Sequence, residues 1–145
     1  MKVVVQRVSR ASVSVNREIV GEIGNGLVLL IGIAKTDTVE NIDFVAKKCV
    51  NLRVFQDEQG KMNRSLLDEK GEILAISQFT LLGNTQKGRR PSFIDAAEPN
   101  SAEKLYNGFI EKLKSFGIVV ACGIFGAMMD VELINQGPIT LIIEK

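Results

Sequence analysis

Between residues 2 and 33 the chain offers four short stretches of strand character separated by little more than turn signals, and this spacing constrains the fold more than any other feature. The stretches are residues 2–9, 11–15, 19–23 and 27–33. Val13 and Val15 alternate with Ser12 and Ser14, the period-two pattern of a half-buried strand. Asn16-Arg17-Glu18 and Gly24-Asn25-Gly26 supply residues that tolerate turn backbone. Connections this short suit antiparallel neighbours, so the first third reads as a meander of strands.

From residue 39 to about 52 the period changes. Val39, Ile42, Val45, Ala46, Cys49 and Val50 follow helical spacing, with Thr36, Asp37 or Thr38 available as a cap. Residues 53–55 read as a short strand and 57–60 as a turn. Residues 72–82 read as a longer strand whose nearly continuous apolar centre implies burial on both faces. Residues 83–99 carry two of the three prolines and follow neither period, which marks a long surface loop. A second helix follows, with Asn100 as N-cap, Glu103 completing a capping box, a stripe of Leu105, Phe109, Leu113 and Phe116, and Gly117 as the stop. Strands at 118–122, 128–134 and 139–144 complete the chain, the last two joined by Asn135-Gln136-Gly137-Pro138. The expected fold is mixed α/β: one domain over residues 1–145, with a mostly antiparallel, curved or barrel-like sheet and two main helices.

Composition removes several chemistries. There is no histidine, which excludes Ser-His-Asp and Cys-His catalysis and any zinc site with histidine ligands from this chain. Cys49 and Cys122 lie 73 positions apart with no nearby partner, so both read as small buried hydrophobes and not as a disulfide or zinc knuckle. No apolar run approaches the roughly 20 residues a bilayer demands. Gln6 and Arg7 interrupt the early valines before a signal sequence could form, and a cytoplasmic location is expected. The net charge is only +1, so contact with nucleic acid would have to be local. Lys87-Gly88-Arg89-Arg90 is the candidate patch, three cations able to meet phosphates or simply to solvate a loop.

Two constellations stand out. Ser77-Gln78-Phe79-Thr80 places three polar side chains at the end of the apolar run Ile73-Leu74-Ala75-Ile76, where they must find hydrogen-bond partners or form a pocket. Such a strand end can aim backbone N–H groups and the Thr80 hydroxyl at one point, as an oxyanion requires. Thr80 as a nucleophile is disfavoured, because no histidine or terminal amine is present to activate it. Gly137-Pro138 reads either as an ordinary strand connection or as a cis peptide that presents backbone carbonyls to a ligand.

With these residues in hand, the chain resembles the D-aminoacyl-tRNA deacylase family over essentially its full length. The resemblance rests on Gln6-Arg7-Val8, Arg10-Ala11-Ser12-Val13, Gly60-Lys61-Met62-Asn63, Ser77-Gln78-Phe79-Thr80-Leu81, Arg90-Pro91-Ser92-Phe93 and Asn135-Gln136-Gly137-Pro138-Ile139-Thr140. It implies hydrolysis of the ester between a D-amino acid and tRNA, acceptance of glycyl esters, rejection of L-aminoacyl esters, and no cofactor or metal. It further implies a homodimer in which Gly137 and Pro138 of one subunit enter the site formed by Ser77, Gln78, Phe79 and Thr80 of the other. By the same resemblance Arg7 orients Gly137-Pro138, and Phe125 and Met129 line the pocket, while Lys87, Arg89 and Arg90 are the candidate contacts to aminoacylated tRNA on charge alone. From the residues alone, Phe125 reads equally as a strand entry and Arg7 as a charge on an exposed strand face. A noncatalytic RNA-binding homodimer and a small-molecule esterase remain open at this point.

Overall fold

β1 (Lys2–Val15) runs unbroken for fourteen residues where two strands were expected. What interrupts it is a shift of register, and its effect is a change of face. Val3 and Val5 point into the larger core, whereas Val8, Ala11 and Val13 point into a second one. The odd spacing from Val8 to Ala11 reverses the parity, and the ladder with β8 slips between Val8 and Arg10.

The structure, a computed structural model, describes residues 1–145. β8 (Asp130–Glu144) pairs antiparallel with β1 along nearly its full length. β3 (Gly26–Gly32) pairs with residues 2–8 of β1, and β2 (Glu18–Ile23) with residues 11–15. Because β8 holds one edge of β1 throughout, β2 and β3 must lie end to end along the other. β6 (Glu72–Ser77) then adds parallel to β3, and β7 (Val120–Cys122) parallel to β6. Antiparallel pairs dominate, as expected. The two parallel pairs flank β6, whose residues 73–76 are all buried. β4 (Phe55–Gln56) and β5 (Met62–Arg64) form a separate small ribbon.

α1 (Val39–Asn51) matches its periodicity and buries Ile42, Val45, Ala46, Cys49 and Val50. α3 (Pro99–Lys114) buries Tyr106, Phe109 and Leu113 but starts earlier than expected: Glu98 is the N-cap, and Asn100 lies inside the first turn without a capping bond. Pro99 decides this, since a ring with fixed φ and no N–H suits the first helical position. α2 (Leu66–Glu69) was not expected, because four residues carry no period. Its only signal is reciprocal capping, Ser65 N–H donating to Asp68 Oδ2 at 2.8 Å and Asp68 N–H to Ser65 Oγ at 3.2 Å. The expected strand over 72–82 ends at Ser77, and the expected pair 128–134 and 139–144 is one strand with an insertion.

The helices cover one sheet face, where Val3, Leu27, Leu29, Ile31 and Ile73 meet Phe109 and Leu113. The other face curls on itself around Val8, Val13, Val28, Leu74 and Ile76. β2 comes so close to β7 that a Cβ on Gly21 would stand 2.8 Å from the Cys122 carbonyl oxygen, so the sheet is curved and nearly closed. Tyr106 ties α3 to the sheet by donating to the Ala75 carbonyl at 2.9 Å. Cys49 is buried as expected, while Cys122 is only half-buried. No helix is long and apolar enough to cross a membrane.

At Gly26 the strands β3 and β6 approach so closely that a Cβ would overlap the Glu72 carbonyl oxygen. Gly26→Ala should therefore part the central pair and cost about 3 kcal/mol or more, read from urea denaturation. Burial pushes the Cys49 thiol up to about 12. Above about pH 9 the unfolded chain loses that thiol proton while the folded chain keeps it, so stability falls as pH rises toward the folded value. Cys49→Ala should lessen the fall of the urea midpoint between about pH 9 and 12, the window between the unfolded and folded thiol values, while the Cys122 and Tyr106 contributions remain.

Candidate active site

β6 is paired with β7 as far as Ala75 and with β3 as far as Ser77, its last residue, which stands level with Ile31 of β3. Gln78 N–H still donates to the Ile31 carbonyl at 2.7 Å. The chain then turns as a 3-10 helix over Phe79–Leu82, closed by Leu81 N–H on Gln78 O at 3.2 Å and Gly83 N–H on Thr80 O at 2.9 Å. Gly32 allows this turn to settle on the end of β3: a Cβ there would lie 2.5 Å from a Leu82 methyl and 3.2 Å from the Gln78 carbonyl oxygen. The first amides of such a turn, Phe79 and Thr80, have no acceptor within it and point out of its N-terminal end.

Inside the turn, Gln78 Nε2 donates to Thr80 Oγ1 at 2.6 Å. That bond occupies a lone pair of the hydroxyl and leaves Thr80 poorly disposed to attack a carbonyl, in line with the lack of an activating base. Phe79 is 55% exposed, and its ring meets Phe93 edge to face with centroids 5.2 Å apart. Phe93 follows a loop closed at its base by two backbone bonds between Asn84 and Ser92, of 2.8 and 3.0 Å. Lys87, Arg89 and Arg90 are exposed on that loop, a short span from the turn. As a site residue, Phe93 escaped the sequence reading. Its signals are an aromatic ring set in a polar loop and its place in the motif Arg90-Pro91-Ser92-Phe93.

The segment leaving β7 runs beside the end of β6, with Gly123 N–H donating to Ala75 O at 3.2 Å. Met129 packs in the space a side chain on Gly123 would need and belongs to the core of the curled face. Phe125 packs on Tyr106 with centroids 5.8 Å apart and belongs to the helix-covered core. The two residues flank the strand end from opposite faces and do not line a single wall. Met128, between them, is 92% exposed.

Arg7 and Gly137-Pro138 lie elsewhere. The Gly137-Pro138 peptide is cis. Gln6 pairs with Thr140 and Val8 with Asn135, so residues 136–139 of β8 stand opposite Arg7 alone and bulge away from the ladder. Arg7 is 8% exposed, contrary to the exposed strand face its local pattern suggested. Its Nη1 donates to the Val54 carbonyl while Nε has no partner, and no carboxylate offsets the buried charge. In register, the Gly-Pro bulge stands four residues along and three strands across from Ser77. At about 3.3 Å per residue and 4.8 Å per strand, the path along the sheet between them is roughly 20 Å. One chain does not bring them together. Two grooves, of about 400 and 460 Å³, run beside α1 and α3 and include none of these residues.

Set beside known proteins, this arrangement finds a match along almost the whole chain. The profile of the family described as D-Tyr-tRNA(Tyr) deacylase covers residues 4–144. The chain belongs to that family. Proteins named D-aminoacyl-tRNA deacylase are 56% identical in Bacillus cereus (strain B4264) and 57% identical in Brevibacillus brevis, each over 145 residues, covering all of this chain and 99% and 100% of the relative. A solved structure described as a c-Myc DNA unwinding element binding protein superposes with a TM-score of 0.94 at 43% identity, covering 100% of this chain and 99% of that one. A second, described as a probable eukaryotic D-amino acid tRNA deacylase, shares the fold with a TM-score of 0.84 at 18% identity, over 98% and 97% of the two chains. Within this family frame, the edge-to-face contact between Phe79 and Phe93 gives the turn its only aromatic support. Phe93→Ala should cost about 1–2 kcal/mol. It should also speed amide exchange at Leu81 and Gly83, the residues whose N–H groups close the turn, as followed by NMR.

Proposed function

We propose that the chain hydrolyses the ester between a D-amino acid and the terminal ribose of tRNA, as a homodimer in which each subunit lends Gly137-Pro138 to the other's Ser77 to Thr80 turn. Family membership supports the reaction. The path of roughly 20 Å along the sheet between the two motifs supports the exchange, since it keeps them apart within one chain. A two-fold axis makes such an exchange reciprocal, so both sites are completed at once.

In this reading water attacks the ester carbonyl carbon, and the N–H groups of Phe79 and Thr80 hold the oxyanion that forms. The neighbouring ribose 2′-hydroxyl relays the proton from the attacking water toward the 3′-oxygen as the ester bond breaks. An activated ester needs modest help, which is why a chain without histidine suffices. The Gly137-Pro138 carbonyls receive the substrate ammonium group and leave no space for an L side chain, while glycine, having none, is admitted. Arg7, buried and short of partners, holds that segment's orientation in the dimer. Phe125 and Met129 flank the pocket, and Lys87, Arg89 and Arg90 meet tRNA phosphates, giving binding that weakens with salt. The site of action is the cytoplasm, where aminoacylated tRNA is used.

The deciding measurement is deacylation of D- and L-tyrosyl-tRNA by the purified protein. Free D-tyrosine should be released over many turnovers and L-tyrosine hardly at all. Equal rates would overturn the selection mechanism, and stoichiometric binding without release would replace the enzyme by a sequestering RNA-binding dimer. Thr80→Ala should slow the reaction by no more than about tenfold, the worth of one hydrogen bond, whereas loss of a nucleophile would abolish it. A 2′-deoxy terminal adenosine should cost about 10²-fold or more.

A further inference from the structure

We infer that Asn135 is a positioning residue that fixes the Gly137-Pro138 segment in its selecting orientation. The inference rests on the reading that Gly137-Pro138 performs the selection. Residues 136–139 are extra to the ladder, and a bulge of that size beside a free edge has few restraints of its own. A Cβ on Gly137 would meet nothing within 4 Å, and Gly137 and Pro138 are both exposed. At the far end the bulge is anchored by Ile139, which is 5% exposed in the helix-covered core.

At the near end the anchor is the Asn135 side chain. In the orientation that sets a donor and not an oxygen against its neighbours, its Nδ2 donates to the Arg7 carbonyl at 3.2 Å and to the Ile139 carbonyl at 3.1 Å. Both protons of one amide are thus used, one across to β1 and one across the neck of the bulge. The second bond spans residues 135 to 139 and closes the loop that carries Gly137-Pro138. The first fixes that loop to Arg7, whose guanidinium is buried. A two-proton donor is required here, because both facing groups are acceptors only. An aspartate of the same shape would set oxygen against oxygen twice.

The test compares deacylation rates on L- and D-tyrosyl-tRNA for Asn135→Ala, Asn135→Asp and Pro138→Ala, with a thermal midpoint for each. Both Asn135 variants should raise the ratio of L to D rates roughly tenfold or more, Asp at least as strongly as Ala, in the same sense as Pro138→Ala. A residue of merely structural importance would lower both rates together and leave the ratio where it was, and that result overturns the inference. If Pro138→Ala shifts the ratio while neither Asn135 variant does, the inference fails and the selection reading stands. If Pro138→Ala leaves the ratio unchanged, the selection reading itself falls and takes the role of Asn135 with it.

Discussion

Hydrogen bonding along both edges of β1 is the constraint on which the rest of the molecule depends. One edge is taken by β8, and the other is shared end to end by β3 and β2. A strand so engaged cannot slide, so every side chain along it is assigned to a face. The register slip between Val8 and Arg10 then reverses that assignment halfway along, giving Val3 and Val5 to the helix-covered core and Ala11 and Val13 to the curled face. A flat sheet with one apolar face would need a single covering layer. This one needs two, and it supplies the second by bending β2 toward β7 at Gly21.

The candidate site follows from how β6 leaves that sheet. A strand buried on all sides can end only where its backbone groups find other partners. At Gln78 the partner is the Ile31 carbonyl, and beyond it a 3-10 turn supplies its own bonds while leaving its leading amides free. Two glycines make the geometry possible: Gly32 lets the turn rest on β3, and Gly26 lets β3 and β6 approach closely at the other end. In the proposed function the chemistry is carried by backbone donors on a rigid support, a device that needs no histidine. Gln78 and Thr80 bond to one another across the turn, which steadies the donors and withdraws the hydroxyl from nucleophilic duty.

Much of this was legible in the residues, for reasons that differ from element to element. α1 was readable because thirteen residues hold several turns of the apolar stripe, and β6 because a continuous apolar run has few other uses. The unity of β1 was not readable, since a bulge and a chain break both interrupt alternation in the same way. α2 and the 3-10 turn are too short to show a period. Asn100 resembled a cap, yet the constraint of Pro99 outranked it. Ser77, Gln78, Phe79 and Thr80 were found as a polar end to an apolar strand, but Phe93, which supports them, lies in a loop where sequence pattern says little.

By itself the sequence determined the class of the fold, the two main helices, the family, and the absence of histidine chemistry, because these depend on local period, motif order and composition. Tertiary structure alone decided the parity reversal in β1, the burial of Arg7, the bulge that sets the cis Gly137-Pro138 peptide apart, and the distance from that peptide to the turn. These depend on which strands become neighbours, and neighbour relations arise from pairings between residues distant in sequence, 46 positions for β3 with β6 and more than a hundred for β1 with β8, which no local pattern encodes.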